Sequence, residues 1–262
     1  MKYFDSHAHY YDGRFSEECE GGVDNLIGAL FEENISHIII VGTDPNTCRA
    51  AIAQAVKFPN MYTALGIHPS DSRFITDIDA ALADVEAMIK DPASKCVCLG
   101  EIGLDYHYPD TNKERQMCFF DEQMRLAKHL KMPVCIHDRE SHADVMEMIR
   151  RHPDVRGVLH SFSGSAEMAR ELVSLGYMVS FSGTLTFTNA RRPKEVAAVL
   201  PRESVMIETD CPYLAPHPLR GTLNHSGNLK YTNATLASIW GISEDECAKI
   251  AEENAKRFFG LS

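Results

Sequence analysis

Two histidines near the start of the chain have a spacing that suits a metal ion. His7 and His9 occur in Asp5-Ser6-His7-Ala8-His9, directly after the apolar residues Tyr3 and Phe4. Successive side chains of a strand point to opposite faces, so residues two apart point the same way. Two imidazoles on one face of a strand end can therefore hold one cation between them. A single His-x-His pattern also arises by chance, so its meaning depends on the rest of the chain.

Further metal-binding side chains recur at positions of the same kind. Each comes just past a short apolar run that predicts a strand: Glu101, His137, His160 and Asp210. One histidine at a strand end is usually a hydrogen-bonded structural residue, but six compatible residues at five strand ends are hard to attribute to chance. The four histidines and two carboxylates exceed the three protein ligands that one catalytic metal needs. The set suits two divalent ions, with Glu101 as the bridging ligand.

Such a centre supports hydrolysis by activated water. Two divalent ions can clamp the attacking and leaving oxygens of a displacement, and they lower the pKa of bound water. Imidazole favours Zn²⁺ or a similar transition metal, whereas the carboxylates leave Mn²⁺ and Mg²⁺ open. No Ser or Cys with an adjacent base stands out as a nucleophile. We therefore expect water to be the attacking group.

The elements that must position these residues alternate between strand-like and helix-like patterns. Eight apolar runs predict strands: Tyr3-Phe4, His37 to Val41, Tyr62 to Leu65, Cys96 to Leu99, Val134 to Ile136, Val158-Leu159, Met178 to Phe181 and Val205 to Ile207. Segments with apolar residues at helical spacing follow them. This alternation implies parallel pairing and right-handed crossovers, and eight such units close into a barrel.

The predicted fold is therefore α/β, a TIM (β/α)8 barrel, with residues 1–262 as a single domain. No linker, repeat or low-complexity tract divides the chain, and α/β barrels routinely reach this length. In these barrels the chemistry lies at the carboxyl ends of the strands. All six candidate ligands occur at that end, and closure of the barrel would bring them into one pocket.

The composition of the chain bears on its cellular location and on its binding partners. No apolar run approaches the ~20 residues needed to cross a bilayer, and no secretory signal precedes the first strand. The eight cysteines are scattered singly, so we expect reduced thiols in a cytoplasmic protein. A formal net charge of −11 argues against a general DNA-coating surface but does not exclude a local phosphate site.

Several segments of the chain also resemble one known family, the TatD-related deoxyribonucleases. The matching motifs are Asp5 to His9, Gly66-Ile67-His68-Pro69, Gly100 to Tyr106, Pro133 to Arg139, His160 to Gly164 and Glu208 to Leu214. The resemblance continues to the ending Asn254 to Phe259, so it covers nearly the whole chain. The motifs are long, in the family's order and specific.

The resemblance implies a metal-dependent hydrolase of the amidohydrolase-like barrels. It implies that His7, His9 and Asp210 bind one ion and that His137 and His160 bind a second, with Glu101 bridging. Asp210 would also orient or deprotonate the water, so Asp210 and Glu101 are the expected catalytic residues. The implied activity is phosphodiester hydrolysis of DNA, commonly as a 3′-to-5′ exonuclease on single strands.

The chain departs from the family pattern in two loops. The family's Arg-Gly and Asn are kept in Arg220 to Asn224, but His225 to Leu229 replaces a proline-containing turn. Asp138 replaces a residue that is often Cys or Ser. Both departures lie beside the expected pocket rather than at the ligands, so they bear on substrate preference.

Three residues near the expected pocket are candidates for substrate binding. His68 follows the third strand and is expected to contact phosphate, although its alternative role is a loop hydrogen bond. Arg139 offers a planar guanidinium that suits phosphate, and a pairing with Asp or Glu is the alternative. Arg220 could reach a phosphate or bridge its own loop. Tyr106, Phe162 and Tyr213 are aromatic residues on which bases could stack, or packing residues.

Three functions remain open from the sequence. The leading prediction is cleavage of nucleic acid, with single-stranded DNA as the expected substrate and no membrane partner. The second is hydrolysis of a small-molecule or aminoacyl ester or amide, since the fold and metals permit these substrates too. The third is a metal-stabilised binding protein without turnover. The second function is retained because the chain is acidic and therefore lacks the general basic surface typical of nucleic-acid binding.

Overall fold

Eight parallel strands form the centre of the computed structural model, which describes residues 1–262. Each strand pairs with the next along the chain, in the order β1 to β8. The strands are β1 Tyr3–Ala8, β2 Ile35–Val41, β3 Met61–Leu65, β4 Cys96–Asp105, β5 Val134–Arg139, β6 Gly157–Leu159, β7 Met178–Phe181 and β8 Val205–Ile207. The TIM-barrel prediction is confirmed, and the expectation of a single domain stays a prediction.

Ten α-helices connect and surround the strands. They are α1 Gly13–Glu18, α2 Val23–Glu33, α3 Pro45–Ala55, α4 Ile78–Lys90, α5 Lys113–Leu130, α6 His142–Arg151, α7 Ala166–Ser174, α8 Arg191–Val199, α9 Leu229–Trp240 and α10 Glu244–Phe259. Short 3-10 turns occupy 71–74, 92–94, 183–186, 202–204 and 226–228. No helix combines the length and the apolar character that a membrane span requires.

Local sequence explains where several helices begin and end. The Asp44 side chain accepts a hydrogen bond from the Thr47 backbone (2.7 Å), and Pro45 occupies the first turn of α3. Ser243 caps α10 in the same manner. Gly260 ends α10 in a left-handed conformation that suits glycine. These signals fix the helix ends but not the helix positions around the barrel.

Apolar side chains fill both sides of the sheet. The larger cluster lies between the strands and the surrounding helices, and a smaller one fills the barrel interior with one side chain from most strands, such as Phe4, Cys98 and Met206. Phe258 and Phe259 of α10 belong to the interior cluster, so α10 covers the amino-terminal mouth. The carboxyl mouth is left for polar residues.

Several strands run further than their apolar sequences predict. β1 includes His7, β4 continues through Glu101 to Asp105, and β5 includes His137. The expectation that these three ligands lie just past their strands was therefore wrong. Irregular register at Asp5 to Ala8 and at Leu99 to Ile102 accompanies the polar extensions. Backbone pairing with the neighbouring strands extends each strand beyond the apolar run, because ladder bonds do not require apolar side chains.

Candidate metal centre

The six residues predicted to bind metal meet at the carboxyl mouth of the barrel. They come from β1, β4 and β5 and from the segments that follow β1, β6 and β8: His7, His9, Glu101, His137, His160 and Asp210. Within each of three subsets of these residues, the ligand atoms lie within 4.8 Å of one another. The structure therefore brings the whole predicted set together, and its role as a ligand set remains a proposal.

The first half of the centre is built from β1 and the segment after β8. The Nε2 atoms of His7 and His9 are 3.1 Å apart. Oδ1 of Asp210 lies 3.3 Å from Nε2 of His9 and 3.7 Å from Nε2 of His7. Oε2 of Glu101 lies 3.3 Å from Nε2 of His7. These atoms surround one small volume that could hold a cation.

The second half is built from β5 and the segment after β6. Nδ1 of His137 and Nε2 of His160 are 3.1 Å apart. Oε1 of Glu101 lies 2.7 Å from that His137 atom and 2.8 Å from that His160 atom. Glu101 thus presents one carboxylate oxygen to each half. This is the placement expected of a bridging ligand.

Hydrogen bonds on the outer side of the imidazoles decide which nitrogens face the centre. Nδ1–H of His9 donates to the Val41 carbonyl oxygen (2.9 Å), and Nδ1–H of His160 donates to Oε1 of Glu208 (3.3 Å). Nε2–H of His137 donates to Oδ2 of Asp105 (3.3 Å). A neutral imidazole with one N–H has a lone pair on its other nitrogen. In their neutral forms, His9, His137 and His160 therefore direct a lone pair toward the centre.

Divalent cations fit this arrangement. The facing imidazole nitrogens in each half are 3.1 Å apart, so a positive charge, either a proton or a bound cation, is needed between them. A donor set of imidazole nitrogens and carboxylate oxygens is suited to Zn²⁺, with Mn²⁺ and Mg²⁺ compatible with the oxygens. Outer partners such as Glu208 are typical of histidines that bind metal, because they fix the ring and its tautomer.

The charges of the buried carboxylates also favour cations. Burial alone would raise the pKa of Glu101, but the surrounding imidazoles in their protonated forms, His160 first among them, hold it well below its ordinary value. Burial likewise opposes ionisation of Asp210, and the hydrogen bond that protonated His9 donates lowers its pKa overall. A bound cation would supply the same positive charge. Both carboxylates are therefore ionised at neutral pH. Burial lowers the pKa of His68 to about 3, so this neighbouring imidazole is neutral.

Asp105 is a site residue that the sequence interpretation missed. Its side chain is 2% exposed, and it accepts the hydrogen bond from His137 described above. Gly103, between Glu101 and Asp105, has a φ of 131°, and a Cβ there would collide with the backbone of His137. This close approach brings β4 against β5. A longer predicted strand would have revealed Asp105, since residues 101, 103 and 105 share one face.

The three predicted substrate-binding residues occupy different places. His68 lies in the pocket, with Nε2 3.6 Å from Oε1 of Glu101. Arg139 is exposed, and its Nη1 lies 4.0 Å from Oδ2 of Asp105. The Arg220 guanidinium lies 4.3 Å from the ring centroid of Phe187, away from the metal-binding residues. Their roles in substrate binding stay predictions.

The three aromatic residues that could stack on bases differ in their availability. Phe162 is 4% exposed and packs in the core. The Tyr106 hydroxyl donates to Asp144 (2.7 Å). Tyr213 is exposed beside the pocket, and its hydroxyl donates to Asp12 (2.6 Å). Only Tyr213 of the three combines exposure with a place at the pocket.

The pocket over the metal-binding residues has two lobes. The metal lobe has a volume of about 330 Å³ and includes Thr43, Thr47 and His68. The side lobe has a volume of about 570 Å³ and includes Arg139, Phe187 and Asn189. The lobes share four residues, namely His137, His160, Asp210 and Tyr213. A ligand in the side lobe therefore adjoins the candidate metal centre.

Sequence comparison identifies relatives over the whole chain. The model of the family described as "TatD related DNase" matches residues 4–260. A Bacillus subtilis protein called "uncharacterized metal-dependent hydrolase YabD" is 36% identical, and the match covers 99% of each chain. The Escherichia coli protein called "uncharacterized metal-dependent hydrolase YjjV" is 31% identical over 99% of this chain and 98% of its own.

Two solved structures of TatD proteins are similar to this chain. The crystal structure of the E. coli YjjV protein, a TatD homologue, superposes with a TM-score of 0.89 at 30% identity and covers 99% of this chain and 98% of its own. A TatD-family hydrolase from Entamoeba histolytica superposes with a TM-score of 0.88 at 22% identity and covers 100% and 99%. The second likeness supports the fold alone.

Proposed function

This chain belongs to the TatD-related DNase family, and from that premise we propose that it hydrolyses phosphodiester bonds of DNA. The proposed activity is that of a 3′-to-5′ exonuclease on single strands, with a divalent metal as cofactor. The observation that carries the proposal is the placement of Glu101, whose two carboxylate oxygens each face a separate pair of histidines. That placement is suited to two cations beside one pocket.

The proposed ligands follow from the distances. His7, His9 and Asp210 would hold one ion, and His137 and His160 would hold the other, with Glu101 between the two. Bound divalent ions supply charge stabilisation to the phosphoryl group and lower the pKa of water. The supporting contacts from Val41, Glu208 and Asp105 keep the imidazoles oriented toward the centre.

We propose that the Asp210 carboxylate accepts a proton from the attacking water. It is ionised, and its side chain is 15% exposed to the pocket that the metal-binding residues line. As the new P–O bond forms, the bond to the leaving sugar oxygen breaks, and that oxygen takes up a proton from solvent. Neither Cys135 nor Cys211 is a competing nucleophile, because burial raises the pKa of both thiols above the ordinary value.

The shape of the pocket supports a strand end as the substrate. Volumes of about 330 and 570 Å³ are in the range of pockets for small ligands, which favours an unpaired strand terminus over a duplex. His68 lines the metal lobe and Arg139 lines the side lobe. Each side chain could contact phosphate there.

A second candidate function is hydrolysis of a small-molecule or aminoacyl ester or amide. The net charge of −11 favours it, because such substrates need no basic surface. The same water-activating centre would serve both reactions.

A panel of labelled substrates tests these functions. Metal-loaded protein is incubated with single-stranded DNA labelled at the 5′ end, with the matching RNA, and with an aminoacyl ester, each with and without chelator. We expect a ladder of DNA products that shorten from the 3′ end and disappear with chelator. Absence of chelator-sensitive DNA cleavage would overturn the nuclease proposal, and cleavage of the ester alone would establish the second candidate.

A further inference from the structure

The side lobe of the pocket has the features of a site for a nucleobase. We propose that Phe187 provides the stacking surface for one of the two bases that flank the scissile phosphate. The proposal rests on the proposed function, because it assigns part of the same substrate to a defined place. Neither the position of Phe187 in the sequence nor any motif indicated this role.

Two loops build the wall that contains Phe187. The loop after β7 carries Gly183 and Phe187, and the loop after β8 carries Leu214 and Arg220. A Cβ at Gly183 would collide with the carbonyl oxygen of Leu214, so the loops approach more closely than other residues would permit. The His217 backbone N–H donates to Oγ1 of Thr186 (2.7 Å) and fixes the loops together.

The Phe187 ring is held in place and remains available to a ligand. The Arg220 guanidinium lies 4.3 Å from its centroid, a distance typical of a cation–π contact. Phe187 lines the side lobe whereas Arg220 does not, so the guanidinium covers a part of the ring outside the cavity. The ring is half-buried, whereas Phe162, which also lines the lobe, is buried. Phe187 therefore contributes accessible aromatic surface to the lobe.

The remaining lining suits the edge of a base. Asn189 offers an amide that can both donate and accept, and Ser163 offers a hydroxyl, and both are exposed. Pro193 and Leu214 add apolar surface. Stacking on an aromatic ring does not depend strongly on base identity, because every base has a π-face. The lobe therefore suits bases of any identity.

The position of the lobe explains why the bound base is the one beside the cleaved bond. The lobe is continuous with the centre through His137, His160 and Asp210. A phosphate over the metal-binding residues would leave its neighbouring nucleoside at the mouth of the side lobe. A volume of about 570 Å³ is sufficient for one nucleoside.

Dinucleotides with and without individual bases test the proposal. The substrates are dTpdT and two analogues in which the 5′ or the 3′ residue is abasic. The proteins are the wild type, Phe187→Ala, Phe187→Tyr and Phe74→Ala, all metal-loaded. Phe74 is a matched control, because Arg73 lies 4.6 Å from its ring centroid but the ring is 71% exposed and lies outside both lobes.

We expect the wild type to prefer dTpdT over one of the two analogues by about 5- to 100-fold in kcat/KM, the range expected from one stacked base. Phe187→Ala should lose that preference, whereas Phe187→Tyr and Phe74→Ala should keep it. Calorimetric binding of dTMP should weaken by a similar factor in Phe187→Ala alone. Thermal melting verifies that each variant is folded.

The outcomes separate this proposal from the proposed function. If the wild type cleaves the dimers and Phe187→Ala keeps the full preference for dTpdT, the base subsite is wrong and the nuclease proposal stands. If no dimer is cleaved, the labelled single-stranded DNA decides the nuclease proposal, because a dimer is shorter than the proposed substrate. In that case dTMP binding still decides on the subsite, because unchanged affinity in Phe187→Ala would overturn it.

Discussion

The backbone N–H of Asp210 donates a hydrogen bond to the carbonyl oxygen of His7 (2.9 Å), which joins the end of the barrel to its beginning. Between the first and last strands the only β-bridge is an isolated one, from Ala8 to Cys211. We call this contact between the first and last strands the seam. Asp5 strengthens it by accepting hydrogen bonds from the Thr209 backbone (2.9 Å) and hydroxyl (2.6 Å). The contacts that close the barrel therefore also place the Asp210 carboxylate beside His7.

The seam predicts a large effect of Asp5→Ala on stability. Asp5 is fully buried and accepts from Thr209 and from the Ser226 hydroxyl (2.7 Å), so the substitution leaves several buried donors without a partner. We expect the free energy of unfolding to fall by about 3–5 kcal/mol in urea denaturation of metal-free protein. Asp79→Ala, at an exposed site, should change it by less than about 0.5 kcal/mol. Equal effects of the two substitutions would contradict the role of the seam.

Substitutions of Asp210 should separate catalysis from folding. The residue has a φ of 56°, a left-handed conformation that Asn tolerates better than Ala. Asp210→Asn should therefore melt close to the wild type, while Asp210→Ala should lose about 1–2 kcal/mol more stability. Removal of a general base should lower kcat by about 100- to 10,000-fold in both. Turnover by Asp210→Asn at the wild-type rate would exclude Asp210 as the base.

Glu208 should act through His160. Its Oε1 accepts from Nδ1–H of His160 and from the Ser161 backbone (2.7 Å). Glu208→Gln should weaken metal affinity by about 10- to 100-fold, because the imidazole loses its charged partner. Calorimetric titration of metal-free protein with Zn²⁺ or Mn²⁺ measures this change. Glu203→Gln, at an exposed site close in sequence, is the control and should leave affinity unchanged; an equal loss there would show a general effect of charge.

The number of bound ions is a direct prediction of the site geometry. Elemental analysis should find two divalent ions per wild-type chain, about one in His137→Ala, and fewer than two in Glu101→Gln. His129→Ala, on the exposed side of α5, should keep both. Metal at 100 times its dissociation constant should stabilise the protein by about 2.7 kcal/mol, and chelator should reverse this. One ion per wild-type chain would refute the bridging role of Glu101.

Local sequence patterns were sufficient to predict the barrel and the convergence of its metal-binding side chains. Apolar runs of strand length, alternating with helical spacing, were sufficient to predict eight strands and a parallel barrel. The chemical types of His7, Glu101 and Asp210 at the ends of those runs predicted which side chains would converge. These inferences succeed because strand and helix periodicity is a property of neighbouring residues, and barrel topology places all carboxyl strand ends at one mouth.

Only the tertiary structure decided how those side chains are oriented and what lies beside them. The partnership of His137 with Asp105 depends on the close approach of β4 and β5, and the side lobe depends on two loops that meet at Phe187 and Arg220. Phe187 and Arg220 are separated by a long stretch of sequence with no shared periodicity. Their contact exists because the strands before them are neighbours in the barrel, and that proximity is set by the folding of the whole chain.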